Sequence, residues 1–527
     1  MIIADEEKWT KHQLSIGHVW WRNSLGIPPV DTATTSVTDW ARLQPGNWGA
    51  IIQQGNQVFA CTDGPRSYPL LYTRVDGELV LSSTPNELLA KLAAPTRNHS
   101  AAEEFRHLGY VTGTDTLVDG VSTVPAGSAV TFDADATTST SSHTGAFKHE
   151  LLDVPTEAHL QSFYETLLEL TNNMVVNSNG HQILIPLSGG ADSRLILTLL
   201  REVDAKNVLT FTYGVGKSEE GGISQSVANG LGFDWKYIQL DPTAVHDRWY
   251  RHDTTKFLQD TWSANALPHI QDWFALQELS EDQDVDERAV ISPGHTVVGN
   301  EHDSWSFAPE VPIRHHEMAR IISHHHFILQ GNPNFALRNR YALEKLEQFL
   351  DTYWADSNPN MRAHVLAQYN ILERQAKYIN NSVRAYEHFG FQWAMPMLET
   401  PAYDSWFSVP ARTWGIDRAP YIKFTNDKYQ EIAGIELPNY LSPAEKLNPT
   451  FKNRIKKVSD MLGVTHAINR SFGIKASLNH PMAFQALAGN LSKSQLARQL
   501  ISGKELLGVY ANLFLDGDWV PEGDIVP

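Results

Sequence analysis

The chain has 527 residues, 42% of them hydrophobic and 19% charged, a globular composition with room for two to four domains. Its 42 basic and 60 acidic side chains leave a net charge of −18, which argues against a general nucleic-acid or anionic-membrane surface while leaving room for a local basic pocket. A single cysteine excludes a disulfide framework and a cysteine zinc cluster, and it fits a reducing compartment. No apolar run approaches the roughly 20 residues of a membrane span. The acidic start MIIADEEKWTKHQL lacks the apolar stretch of a signal peptide, so the expected location is the cytoplasm.

Taken in chain order, residues 47–133 read as short strands broken by Gly-Asn, Asp-Gly-Pro and Asp-Gly turns. The Ser/Thr-rich stretch 135–145 holds almost nothing to bury and reads as a loop or linker, which puts a domain boundary near 150. Beyond it the pattern changes to an amphipathic helix over 157–178, a strand over 181–187, a helix over 192–203 and a strand over 207–214. A helical SQSVANGLG and a third strand, WKYIQL, follow. Strand alternating with helix predicts a parallel sheet. From about 310 onward long helical stretches dominate, such as YALEKLEQFLDTYWA.

The most informative stretch is Pro186-Leu-Ser-Gly-Gly-Ala-Asp-Ser-Arg194, placed where a buried strand ends and a helix begins. Ligands of open α/β sheets bind at that edge. Gly189 and Gly190 let the backbone approach a phosphate, the helix start favours an anion, and Ser188 and Ser193 add hydroxyls. Asp192 suits a phosphate site if it holds Mg²⁺ that bridges phosphate oxygens. A tight turn with an Asp/Ser helix cap is the plainer alternative, and the combined Ser-Gly-Gly-x-Asp-Ser pattern outweighs it. Neither the Walker A pattern nor the dinucleotide fingerprint is present in this loop.

This loop resembles the pyrophosphate loop of the N-type ATP pyrophosphatases, and within them the chain is similar to the asparagine synthetase group. GNWGAIIQQGNQVFACTDGPRSYPLLYT and GYVTGTDTLVDGVSTVPAGS resemble the late part of the family's glutaminase domain. TFTYGVG resembles the strand whose end lies against adenine. QWAMPMLE resembles the family's acidic motif, and LPNYLSPAEK has the spacing of a segment ending in a lysine near the pyrophosphate. The resemblance extends to asparagine-synthetase-related proteins of polysaccharide and natural-product clusters, to β-lactam synthetases and to lasso-peptide cyclases. It implies an α/β chain in two parts. Residues 1–150 would be a degenerate glutaminase-like (Ntn-type) antiparallel β/α domain. Residues 151–527 would be a doubly wound parallel-sheet synthetase domain with C-terminal helices. It further implies ATP held by Leu187, Ser188, Gly189, Gly190, Asp192, Ser193, Tyr213 and Gly294, Mg²⁺ on Asp192, and Lys446 acting in adenylation.

Three departures from the family pattern bear on function. The family's glutaminase uses an N-terminal cysteine, whereas this sequence opens Met-Ile-Ile and its one cysteine, Cys61, falls in an apolar strand. Val297 falls where the family has an aspartate that helps hold Mg²⁺, leaving Glu301, Asp303, His295 or a water to take its place. The glutamate of the acidic motif is Gln392, and Glu387 is the replacement within reach in sequence. The histidines of RHHEMARIISHHHF (314–327) lack a convergent carboxylate pattern and read as surface or loop residues rather than a metal site. The implied activity is ATP-dependent amide formation through an acyl-adenylate. A small-molecule or peptide carboxylate and an amine or ammonia would be its substrates, with no glutaminase of its own. The implied partners are a second copy of the chain or a biosynthetic partner protein, and neither nucleic acid nor membrane. The rival class is a nucleotide-binding pseudoenzyme that regulates a partner. The −18 charge argues against a nucleic-acid-modifying relative.

Overall fold

The computed structural model describes residues 1–133, 138–143, 151–299, 314–353, 359–438, 473–520 and 525–527. The chain is mixed α/β with three sheets, one of them parallel. The first 142 residues supply a six-stranded antiparallel sheet. Its order is Thr138–Ser142, Ser128–Phe132, Gln57–Thr62, Trp48–Gln54, Gly17–Asn23 and Thr10–Leu14. A four-stranded sheet joins Ile2–Ile3, Glu78–Ser82, Leu71–Val75 and Ser122–Thr123.

Period-two alternation sorts the side chains of the larger sheet onto two faces. Ile51, Ala60 and Val130 share one apolar cluster with Leu79 and Leu81 of the smaller sheet. Ala50, Ile52, Cys61 and Ala129 share the other with Trp21, Trp40 and Trp48. The rings of Trp21 and Trp48 stack at 5.2 Å, and Trp40 meets Trp21 edge-on. Cys61 pairs in register with Ala50 and Ala129 and is fully buried. Burial pushes its thiol far above the ordinary range, so it packs as a small apolar residue rather than as a nucleophile.

Two features here differ from the sequence expectation. The stretch 135–145 is not wholly a linker, because Thr138–Ser142 pairs antiparallel with Ser128–Phe132 as an exposed edge strand. Its side chains bury nothing, so hydrophobic alternation could not reveal it, while Ser and Thr still suit an extended backbone. The hairpin Thr10–Leu14 and Gly17–Asn23 also extends the sheet ahead of residue 47.

The third sheet has five parallel strands in the order Asp234–Gln239, Val208–Gly214, Ile183–Pro186, Val290–Ile291 and Gln392–Trp393. The first three match the predicted strands. The last two are two residues each, below the length at which a pattern can be read. Buried parallel strands carry continuous apolar runs because helices cover them, and Ile183, Leu184 and Ile185 are buried. Helix Ala191–Glu202 packs against Thr156–Asn177 and Ala419–Ala433 and buries nine of its residues, which matches the predicted helix over 192–203. No helix among the described residues is long and apolar enough to cross a membrane.

The antiparallel sheets are bonded to the rest of the chain through buried polar contacts. The Asn47 side chain accepts from the Met395 amide at 2.7 Å, and the Glu399 carboxyl accepts from the Gly46 amide at 3.1 Å. Lys377 donates to the carbonyls of Val111 and Gly113. Glu399 is only 7% exposed, and burial pushes its carboxyl up to about 8, against the opposing pull of the Gly46 amide. In the unfolded chain the same carboxyl titrates near ~4.3. Between those values the folded chain holds a proton that the unfolded chain has released, so this group's contribution to stability falls as pH rises. Glu399→Gln keeps an acceptor for Gly46 and removes the titration. Urea denaturation at pH 5 and pH 8 should show a flatter stability profile for the variant. At pH 8 it should gain on the order of 2–4 kcal/mol over the parent. Equal pH slopes for the two proteins would contradict the assignment.

Candidate nucleotide site

The strand order of the parallel sheet places the first strand, Ile183–Pro186, beside the fourth, Val290–Ile291. The loops that leave these two strands open the crevice where such sheets bind ligands. The first loop is Leu187–Gly190. Its Leu187 amide continues the sheet to the Phe211 carbonyl at 2.8 Å, and the Thr212 hydroxyl donates to the Leu187 carbonyl. Ser193 then closes the turn on itself. Its hydroxyl donates to the Ser188 carbonyl at 3.1 Å and accepts from the Ser188 amide at 3.1 Å. Gly190 is the N-cap of helix Ala191–Glu202 and offers no side chain to its first amides. That helix end therefore presents N–H groups and a positive dipole to the crevice.

The second loop comes close because Gly294 has no side chain. A Cβ at Gly294 would lie 2.9 Å from the Ser193 amide nitrogen and 3.1 Å from its Cα. The two loops line a cavity of about 290 Å³, together with Tyr213, Glu220, His269, Asp272, His295 and Tyr386. Of the sequence-predicted residues, Leu187, Ser188, Asp192, Ser193, Tyr213 and Gly294 line this cavity, and Gly189 and Gly190 belong to the same turn. An apolar strand end, a bare helix N-terminus and a glycine turn form a cradle that fits the phosphates and base of a nucleotide.

Several groups here were not legible beforehand. Tyr213 and Tyr386 both donate to the carboxylate of Asp272. Burial, with that carboxylate beside them, raises both phenols well above their ordinary value, so they remain protonated donors. Glu220 faces the Gly189 amide, and burial outweighs that contact and raises its carboxyl. Burial holds His295 down to about 3 and lowers His269 as well, which keeps both imidazoles neutral. A neighbouring cavity of about 420 Å³ shares His269, Gln271 and Ile379 with the first. It adds His325, His326, His480 and Arg374. Arg374, Tyr378 and Ile379 reach these cavities from Asn370–Ile379, a ten-residue π-helical stretch, a wide geometry that recurs at functional sites. The histidines of 314–327 are thus split. His325 and His326 line the second cavity, with burial holding His326 down to about 3, whereas His324 bonds Asn334 outside it.

Two sequence expectations are not met by this geometry. Glu387 does not join the loop. Its neighbour Tyr386 lines the cavity beside the loop, and successive helical residues point about 100° apart. Glu387 instead pairs with Arg384 at 2.8 Å, accepts from Trp393 and lines a separate cavity with Lys8 and Arg22. Asp192 is already engaged, since Arg418 donates to both its oxygens at 3.2 and 3.1 Å and Tyr421 donates at 3.0 Å. Val297 is buried at 1% exposure, its amide bonded to the Met397 carbonyl. The described donors therefore do not fit a magnesium site. Asp192 is already neutralised by a guanidinium, Asp272 accepts from two phenols and Glu220 faces the Gly189 amide, while Val297 is apolar and His295 offers an imidazole that a hard cation disfavours. No group of three or more His, Cys, Asp or Glu among the described residues could hold a metal ion. Lys446, Glu301 and Asp303 lie outside the described residues.

The close loop approach makes a direct test. Gly294→Ala should force the two backbones apart, costing about 1–3 kcal/mol in urea denaturation and weakening nucleotide binding. Gly222→Ala, where nothing lies within 4 Å of the added Cβ, should gain about 0.5–1 kcal/mol by helix propensity. Equal stability of the Gly294 variant and the parent would show that the loops are not in contact.

Residues 180–281 match the family model for asparagine synthase. No curated protein matches the chain. Among solved structures, an NH3-dependent NAD synthetase from Campylobacter jejuni subsp. jejuni NCTC 11168 aligns over 39% of this chain and 91% of its own. It is 16% identical with a TM-score of 0.20. A glutamine phosphoribosylpyrophosphate amidotransferase from B. subtilis aligns over 55% of this chain and 64% of its own, at 7% identity and a TM-score of 0.16. The match to the asparagine synthase family model spans the first three parallel strands, the glycine loop and its helix.

Proposed function

We propose that the chain is an ATP-dependent synthetase that activates a carboxylate as an acyl-adenylate and joins it to an amine or ammonia, in a two-part chain divided near residue 150. The observation that carries this reading is the bare N-terminus of helix Ala191–Glu202, set behind a serine-closed glycine turn at the crevice between the first and fourth parallel strands. In the first step a carboxylate oxygen attacks the α-phosphorus, the bond to the β-phosphate oxygen breaks, and pyrophosphate leaves with the electron pair. In the second the amine nitrogen attacks the acyl carbon, AMP leaves with its electron pair, and the amine gives up a proton.

This chain's residues contribute binding and orientation. The uncapped first-turn amides of helix Ala191–Glu202 and the helix dipole favour the phosphates and the charge that builds on them. Tyr213, held through Asp272, fixes one wall of the cavity. The adjoining cavity of about 420 Å³, which shares His269 and Gln271 with the first, gives the acyl substrate or the amine a place. Neutral imidazoles there accept hydrogen bonds from an uncharged amine, the form that attacks. The buried thiol of Cys61 supports a nitrogen source other than glutamine cleaved by this chain. Lys446, nine residues beyond Leu437, is proposed as a second cation for the departing pyrophosphate.

A panel of carboxylates should include at least one that stimulates pyrophosphate release from ATP by the purified chain. Ser193→Ala opens the turn and should lower kcat/KM for ATP by roughly 10- to 100-fold, with thermal unfolding little changed. Lys446→Ala should slow pre-steady-state pyrophosphate release on the order of 100- to 1000-fold with little effect on ATP affinity. The buried Val297 favours the second reading, a pseudoenzyme that binds nucleotide without turnover. ATP binding with no pyrophosphate release for any carboxylate would select it.

A further inference from the structure

The crevice poses an electrostatic problem. Three carboxylates, Asp192, Glu220 and Asp272, line the cavity read here as the place of a polyanion, and the described residues do not fit a metal between them. One cation does meet the loop. Arg418 donates from Nη1 to both oxygens of Asp192 at 3.2 and 3.1 Å. The same nitrogen donates to the Val298 carbonyl at 3.3 Å, so the guanidinium bridges the loops that leave the first and fourth strands. Val298 adjoins Val297, the position at which the sequence pattern leads one to expect a second metal carboxylate.

The backbone is bent to put Arg418 there. Asp417 and Arg418 have φ of +53° and +57°, consecutive non-glycine residues in the left-handed region, which a Cβ makes costly. Such conformations persist where surrounding contacts over-determine them, and they cluster at ligand sites. Directly after them begins helix Ala419–Ala433, whose Tyr421 donates to the same Asp192 carboxylate at 3.0 Å. The Arg418 guanidinium also lies 6.0 Å from the Tyr421 ring centre. The side chain is 20% exposed and reaches the cavity through Asp192, which lines it. A guanidinium keeps its charge throughout the physiological pH range and matches phosphate geometry.

We propose that Arg418 supplies the positive charge that faces the nucleotide phosphates at this loop, in the place of a metal held by a carboxylate pair. Asp192 positions the guanidinium, and the guanidinium in turn cancels the Asp192 charge that would repel the phosphates. The proposal rests on the reading of the loop as a nucleotide site. It separates from that reading through metal dependence, which a merely structural arginine would not change.

The test is calorimetric titration with ATP in chelator and with ATP in excess Mg²⁺, for the parent, Arg418→Lys and Arg418→Ala, with thermal unfolding of each. The parent should bind metal-free ATP within about tenfold of Mg-ATP. Arg418→Ala should lose roughly 10- to 100-fold in affinity for metal-free ATP and distinctly less for Mg-ATP, while Arg418→Lys should fall between. If the parent binds Mg-ATP but not metal-free ATP, the proposal fails while the nucleotide assignment stands, and that result needs no variant to fold. If Arg418→Ala binds both forms as the parent does, or loses both equally, the proposal also fails. If the parent binds neither form, the nucleotide reading falls and takes the proposal with it.

Discussion

Arg194 is a buried cation, and among the described residues it forms no ion pair with a carboxylate. It is fully buried, its guanidinium donating to the Asn426 side chain at 2.9 Å and to the carbonyls of Leu437 and Pro438 at 2.8 and 2.7 Å. It also lies 5.2 Å from the Tyr429 ring centre. Taking a charge out of water is expensive, and neutral acceptors return only part of that cost. The arrangement persists because of what it joins. One side chain on the first turn of the loop helix fixes both helix Ala419–Ala433 and the start of LPNYLSPAEK. The helix that brings Arg418 and Tyr421 to Asp192 is thereby locked to the helix that carries Asp192. Without that lock Asp192 would lose its contacts with Arg418 and Tyr421.

The remaining constraint is steric. Two loops converge on the same helix end, and Gly294 permits it because a methyl group there would meet the Ser193 backbone. The cavity beside these loops shares part of its wall with the second cavity. His269, Gln271 and Ile379 belong to both, so a ligand in one chamber sits against the walls of the other. The π-helical stretch serves both sides of this boundary. Glu373 and Lys377 bond the Gly113 region on one face, while Arg374, Tyr378 and Ile379 reach the cavities. The antiparallel sheets are therefore tied to the site through one irregular helix.

Local signals were legible in the sequence and convergent ones were not. The glycine loop, the strand before it and the helix after it are contiguous, so periodicity and turn chemistry place them within a residue or two. The strands Val290–Ile291 and Gln392–Trp393 carry no readable pattern, because two residues make no period. Arg418, Tyr421 and Asp272 reach the site from helices and loops far away in sequence, and nothing in their own neighbourhoods marks them. Two consecutive left-handed residues at Asp417 and Arg418 would have been a clue, yet neither is a glycine. Glu387 shows the opposite error. Nearness in sequence to an expected acid suggested a role, and one residue of helical rotation sends its side chain to Arg384 and Trp393.

For a chain of net charge −18 to bind a polyanion, as proposed, its charges have to be arranged locally, since at ordinary salt the field of distant surface groups is screened within about 8–10 Å. The described site does so by leaving few groups uncompensated. Asp192 is paired with Arg418, Asp272 accepts from two phenols, Glu220 is pushed toward its neutral form, and the buried imidazoles carry no charge. The helix amides and dipole then stand as a positive end with little opposing field. Compensation of this kind also explains the depth of the site. Each pair is half-buried or better, where water screens it least, and a phosphate entering there exchanges its hydration for fixed donors already aimed at the crevice.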